Sequence, residues 1–173
     1  MKTYTKKELA EVLRLHKLWL EDNPKGIRAN LRWADLSLAD LSWADLRSAD
    51  LRLADLRSAI LRSADLRWAD LRSADLRLAD LRSADLHSAD LHSADLSLAD
   101  LSLAKTDKRY IQIACIGSRK DTTTYCFEDD KIWCGCFSGT LEEFKARVKE
   151  THKGNKQYLS EYMGFIEYLK SLR

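Results

Sequence analysis

From residue 29 onward the chain places Leu at every fifth position, from Leu31 and Leu36 through to Leu101, fifteen times without an insertion. Ala stands two residues before each of these Leu, and the residue between is Asp thirteen times, Asn30 once and Ile60 once. A period of five suits neither regular element. On a helix a five-residue step turns about 500°, so successive Leu would lie about 140° apart and share no stripe. On a plain strand an odd period would send alternate Leu to opposite faces. A chain that turns a corner every five residues points each Leu, and the Ala two before it, inward. The other three positions then face out, and stacked turns share a continuous Leu–Ala core.

Outside this run the pattern changes. Thr5 and Glu8 frame a capping box, and Leu9, Val12, Leu13, His16 and Leu20 recur at helical spacing. Asp22-Asn23-Pro24-Lys25-Gly26 stops that helix, which is predicted over 5–20 with His16 packed on its apolar side. Strands are predicted over 109–116, 122–128 and 131–137, the last two forming a hairpin around Asp129-Asp130. Thr140 and Glu143 form a second capping box, opening a helix to about Thr151. Asn155 caps a last helix to about Leu172 that buries Tyr158, Leu159, Tyr162, Met163, Ile166 and Leu169. Three segments follow: an N-terminal helical cap (1–28), fifteen repeats (29–104) and a small α+β domain (105–173).

The repeated A-(D/N)-L-x-x unit closely resembles the pentapeptide-repeat family, over 76 of the 173 residues. The resemblance implies a mainly β fold, a right-handed quadrilateral β-helix with four repeats per coil and just under four coils. A short solenoid has open ends with unpaired backbone, so an N-terminal helix cap and a C-terminal α+β cap are expected. LHKLWLE near the start, and GSRKDTTTY, CGCFSGTLEEF and KETH near the end, look like the head and tail of some phage and bacterial members. Neither segment brings an activity with it.

Charge narrows the function. Lys and Arg number 29 against 27 Asp and Glu, a net +2, which excludes a strongly basic or acidic tail. No run of 18 apolar residues spans a membrane, and MKTYTKKELAEV lacks the apolar core of a secretory signal. The expected compartment is the cytoplasm. With four repeats per coil, Asp50 and Asp70 stack in a row beside Arg52 and Arg72, and the other rows repeat this charged ladder. Pairing would cancel much of the field, and the Asp would repel phosphates from the Arg, so direct nucleic-acid binding is not expected. Some members of the family inhibit DNA gyrase by presenting a DNA-like acidic rod. The resemblance therefore implies an alternative function: an inhibitor of a nucleic-acid enzyme, or a phage anti-host factor, by partial DNA mimicry.

The last outward position of the repeats holds Trp33, Trp43, Trp68, Leu38, Leu53, Leu78, Leu98 and Leu103, with Ser at the other sites. Trp33, Leu38 and Trp43 belong to the first coil and are expected to touch the first helix. Leu53, Trp68 and Leu78 lie mid-stack with no cap over them. Together with Ile60, which breaks the Asp ladder, they form the candidate partner patch.

Catalytic and metal chemistry find little support. Cys115, Cys126, Cys134 and Cys136 lie in the tail with His152, but without the paired C-x2-C knuckles of a zinc site. A two-residue turn at Asp129-Asp130 would pair Cys126 with Trp133, facing away from Cys134 and Cys136. A three-residue turn would set Cys126 opposite Cys134. Buried, reduced thiols are expected in either case. Ser118, Asp121 and His152 are triad residue types without an elbow motif. Gly117-Ser118-Arg119-Lys120 lacks the glycine pattern of a phosphate loop and reads as a basic turn. His87 and His92 fall on different faces of a four-sided coil. No enzyme and no cofactor are expected. The sequence reads as a non-enzymatic protein-interaction or structural scaffold whose partner is another protein, and it leaves the oligomeric state open.

Overall fold

A computed structural model describes residues 1–113, 116–118, 122–135 and 137–173. The chain divides into two compact units, Met1–Asp107 and Lys108–Arg173. Ala114, Cys115, Arg119, Lys120, Asp121 and Cys136 lie outside the described residues. So do the corresponding parts of the first tail strand, of the GSRK turn, of the thiol set and of the triad types.

In the first unit, parallel bridges join residues twenty apart along four rows. They run from Asn30 to Asp90, from Asp35 to Asp95, from Asp40 through Ile60 to Asp100, and from Asp45 to Lys105. Twenty residues are four pentapeptides, so one coil has four sides. In each rung the Asp faces the preceding coil: Asp50 donates its N–H to the Ala29 carbonyl (3.0 Å) and accepts the Leu31 N–H (2.7 Å). Each corner is a tight turn. Ala34 donates its N–H to the Leu31 carbonyl at 3.0 Å, and Trp33 stands at φ 59°. That geometry is of type II, whose third residue takes a positive φ. The same left-handed backbone, φ 54–62°, recurs at every corner from Trp33 to Leu103. Inside, Leu31 and the Leu at 46, 51, 56, 61, 66, 71, 76 and 81 are completely buried, with Ala between them. The ladder runs one step past the last repeat, because Lys105 donates to Ala84 and accepts from Leu86. The sequence hid that step, since Lys105 and Thr106 replace the usual Asp and Leu.

Residues 1–28 belong to this unit rather than forming one of their own. Helix α1 spans Lys6–Leu20, and the Thr5–Glu8 capping box is complete. The Ile27 N–H reaches the Leu15 carbonyl (3.0 Å), and the Ala29 N–H reaches His16 Nδ1 (3.1 Å). An unanticipated strand, β1 (Lys2–Thr3), pairs in parallel with β2 (Ala34–Asp35) of the first coil.

The second unit is an antiparallel sheet in the order β3 (Tyr110–Ile113), β4 (Thr123–Cys126), β5 (Lys131–Cys134), β6 (Phe137–Gly139). Helices α2 (Leu141–Thr151) and α3 (Lys156–Ser171) follow, capped by Thr140 and Asn155. Tyr125, Ile132, Leu141, Phe144, Val148, Tyr162, Phe165, Ile166 and Leu169 form its core. Two expectations are corrected here. The β4–β5 turn has four residues, Phe127 to Asp130, so Cys126 pairs with Lys131 and not with Trp133 or Cys134. Asp130 explains the longer turn: it sits at φ 45°, and its carboxylate accepts the Tyr125 hydroxyl at 2.7 Å. The strand expected over 131–137 stops at Cys134. Gly135, at φ 59°, turns the chain so that Phe137 pairs back with Cys134 as the fourth strand. No helix among the described residues is long and apolar enough to cross a membrane.

Candidate functional site

The outward surface of the coils is built by the Asp of each repeat. Its Oδ1 accepts the N–H two residues on, as in Arg52 to Asp50 (3.2 Å) and Ser42 to Asp40 (3.0 Å). This Asx bond steadies the approach to the left-handed corner. It also fixes the carboxylate where the guanidinium two residues on can fork onto it. Arg52 binds Asp50 through Nε and Nη2 at 2.9 and 2.5 Å, and Arg72 binds Asp70 at 2.8 and 2.7 Å. Each Arg also reaches the next coil: Arg52 lies 3.4 Å from Asp70, and Arg72 lies 3.5 Å from Asp90. The structure therefore brings Asp50, Arg52, Asp70 and Arg72 into one continuous ladder. Arg47, Arg57, Arg67, Arg77 and Arg82 repeat the arrangement on the other rows. The Arg fork holds the Asp50, Asp55 and Asp70 carboxyls below the usual carboxylate range, against a smaller opposing effect of burial.

Ile60 interrupts this scheme. Arg62 has no carboxylate in its own repeat and binds Asp80 of the next coil at 2.5 Å. Asp80 thus serves two guanidinium groups, Arg82 and Arg62, and its carboxyl is pushed far down.

The candidate patch does not come together on one row. Leu53 follows the row of Asn30, Leu78 that of Asp35, Ile60 belongs to that of Asp40, and Trp68 follows that of Asp45. Trp68 and Leu78 are more than half exposed, while Leu53 and Ile60 are half-buried. A different grouping emerges instead: Leu38, Leu78 and Leu98 share one row. Nor does the first helix cover Trp33, Leu38 and Trp43, which stay 51, 77 and 79 % exposed.

In the second unit, Cys126 and Cys134 are reduced and buried, and the register sets them on opposite faces of the sheet. Cys134 Sγ accepts the Thr123 hydroxyl (3.2 Å), and burial raises the Cys126 thiol above its ordinary value. No cluster of metal-binding side chains occurs among the described residues. Ser118, Cys134, Arg147 and His152 line a cavity of about 320 Å³, with the His152 ring stacked on Tyr162 at 5.3 Å.

Four-sided coils joined by parallel bridges, with an Asx turn at nearly every corner, define a class of repeat protein. Residues 27–62 and 64–102 match the pentapeptide repeat family in 8 copies. The chain carries the repeats of that family, whose members fold as right-handed β-helices. Similar solved structures include a pentapeptide repeat protein from the Arabidopsis thaliana thylakoid lumen. It is 37 % identical over 44 % of this chain and 52 % of that one, with a TM-score of 0.43. Another is the pentapeptide repeat protein Rfr23 from the cyanobacterium Cyanothece 51142, 39 % identical over 46 % of this chain and 54 % of that one, TM-score 0.45. The chain thus spans about half the length of each. The plasmid-mediated fluoroquinolone resistance protein QnrB1 is 23 % identical over 44 % of this chain and 39 % of that one, TM-score 0.30. No match was found among the curated proteins.

Proposed function

We propose that the chain is a non-enzymatic protein-interaction scaffold of the cytoplasm. Its coils form a right-handed quadrilateral β-helix with α1 as N-terminal cap. The supporting observation is the closure of the charged rows on themselves. Each forked Arg neutralises its own Asp and leans on the next, so the forked rungs offer a partner little unpaired charge. What projects beyond them is apolar: Trp33, Trp43, Trp68, Leu38 and Leu78 stand out at the corners. Exposed aromatic and aliphatic anchors on a rigid frame suit a protein partner. DNA mimicry would need carboxylate rows free of cations, which the forked pairs oppose.

The test is capture of a partner protein from nuclease-treated bacterial lysate. The wild-type chain is compared with a variant carrying Trp68→Ser and Leu78→Ser. A partner held by the wild type and lost from the variant is expected, with DNA supercoiling by gyrase unaffected by excess protein. Equal capture by both proteins, or inhibition of supercoiling, overturns the reading.

A further inference from the structure

The ladder has an open rung at its N-terminal end. In every later coil the Asp main chain faces back and is paired, as Asp80 is with Ala59 and Leu61. In the first coil the corresponding groups belong to Asn30, Asp35, Asp40 and Asp45. On the Asp35 row, β1 supplies the missing strand: Thr3 pairs with Asp35, and Lys2 donates its N–H to the Trp33 carbonyl at 3.0 Å. On the Asn30 and Asp45 rows the backward-facing N–H and C=O groups meet no partner among the described residues, but α1 lies on that side, with His16 fully buried against Ala29 and next to Asp45. On the Asp40 row, no group among the described residues meets the backward-facing N–H or C=O of Asp40.

The same place is a groove. A cavity of about 810 Å³ lies between β1, α1 and the first coil. Leu9 and Leu13 of α1 form one wall, Leu38 and Trp43 the other, and Ala39 and Asp40 the floor. Ala39 belongs to the core row, yet it is only half-buried, whereas Ala59, Ala79 and Ala99 below it are sealed. The two wall residues Leu38 and Trp43 are the most exposed apolar corners of that coil, at 77 and 79 %.

We infer that this groove receives an extended apolar peptide of a partner protein, added as a parallel strand to the open rung at Asp40. The occupant is argued from β1. One row away, an extended segment of this chain completes the same edge of the same coil, so the edge accepts a strand in parallel register. The walls decide the side chains. An extended peptide turns alternate residues to one face, and the face over Ala39, Leu9 and Leu13 is apolar. The inference rests on the scaffold reading and deepens it by naming one contact and the form of its partner.

The experiment selects a displayed library of random short peptides on the full chain. Enriched peptides with apolar residues at alternate positions are expected. Their binding slows hydrogen exchange at the Asp40 amide about tenfold or more and leaves the Asp80 amide unchanged. Trp43→Ala and Leu13→Asp weaken binding about tenfold, and Trp68→Ala does not. Trp43 is so exposed that its removal cannot be confused with unfolding. Three results overturn the inference: no enrichment, peptides that bind both groove variants as well as the wild type, or an unchanged Asp40 amide. Self-association of the chain that Trp43→Ala abolishes also overturns it, since the occupant is then a second copy. A lysate partner lost with Trp68→Ser and Leu78→Ser but kept with Trp43→Ala sinks the groove and leaves the scaffold reading standing.

Discussion

In the coils each main-chain rung joins residues about twenty apart, and every rung has the same kinds of partner as the one before it. In the α+β unit no two contacts are alike. Tyr125 reaches Asp130 across a turn, and Arg173 at the chain end returns to the same carboxylate. The first unit is a sum of near-identical neighbour interactions, and the second is one cooperative core. The two should therefore respond differently to damage. Leu66→Ala removes a completely buried side chain from mid-stack, and Ile166→Ala does so in the tail core. Each should cost about 2–5 kcal/mol. Hydrogen exchange should show Leu66→Ala loosening the coils next to residue 66 most, with the tail amides unchanged. Ile166→Ala should loosen the whole tail and leave the coils alone. Uniform loss of protection through all the coils after Leu66→Ala would break the distinction.

The N-terminal end of the first unit carries a weaker point, His16. It is fully buried and accepts the Ala29 N–H at Nδ1, while Nε2 makes no well-formed hydrogen bond among the described residues. Burial lowers its pKa from 6.5. Asp45 and the Arg47 main chain oppose that shift, while the Arg28 and Arg47 side chains add to it. Since the folded value is depressed, the unfolded chain takes up the proton first. The contribution of His16 is thus complete above pH 6.5 and is lost as pH falls through and below it. Protection of the Ala29 amide should drop over that range in the wild type and not in His16→Gln, which cannot titrate. An equal drop in both would assign the effect to other groups.

The two units also differ in how much their sequence disclosed. Period five excludes a helix and a simple strand by geometry alone, so the corners and the inward Leu and Ala follow from one pentapeptide, while the Asp–Arg rows needed the four repeats per coil that the family resemblance implies. What escaped was set by neighbours far away in sequence. The β1 strand has only Lys2 and Thr3 to announce it, and it forms because an edge of the first coil needs a partner. In the tail, Asp129-Asp130 marks a turn but not its length. The bond from the Tyr125 hydroxyl to Asp130 stabilises the four-residue form.

Ile60 offers a smaller way to sharpen the comparison. Ile60→Asp restores an Asx bond to the Arg62 N–H and gives Arg62 a carboxylate in its own repeat. The site is half-exposed, so the gain should be about 0.5 kcal/mol, or roughly 2–4 °C in Tm for a unit of this size. A loss of stability would mean that Ile60 contributes more through packing than the missing rung could return.

A comparably small effect concerns the corners, where the two units solve one backbone problem with different residues. The tail takes positive φ at Gly117 and Gly135, and at Asp130 in the β4–β5 turn. A Cβ on Gly117 would come 2.0 Å from the Tyr162 ring, so that position needs glycine twice over. The coils take the same backbone at fifteen corners with Ser, Leu or Trp and never with glycine. A left-handed residue with a Cβ costs about 1–2 kcal/mol. Glycine would remove that strain but would add conformational freedom to the unfolded chain, costing about 0.4–1 kcal/mol. Ser73, at φ 56°, donates its N–H to the His92 carbonyl at 2.9 Å, a bond that glycine would keep. Ser73→Gly should therefore stabilise the coils by a few tenths to about 1 kcal/mol, read as a small rise in denaturation midpoint. A fall would show that the Asx bond and the rung already relieve the strain. The absence of glycine from the corners would then favour rigidity without any cost in stability.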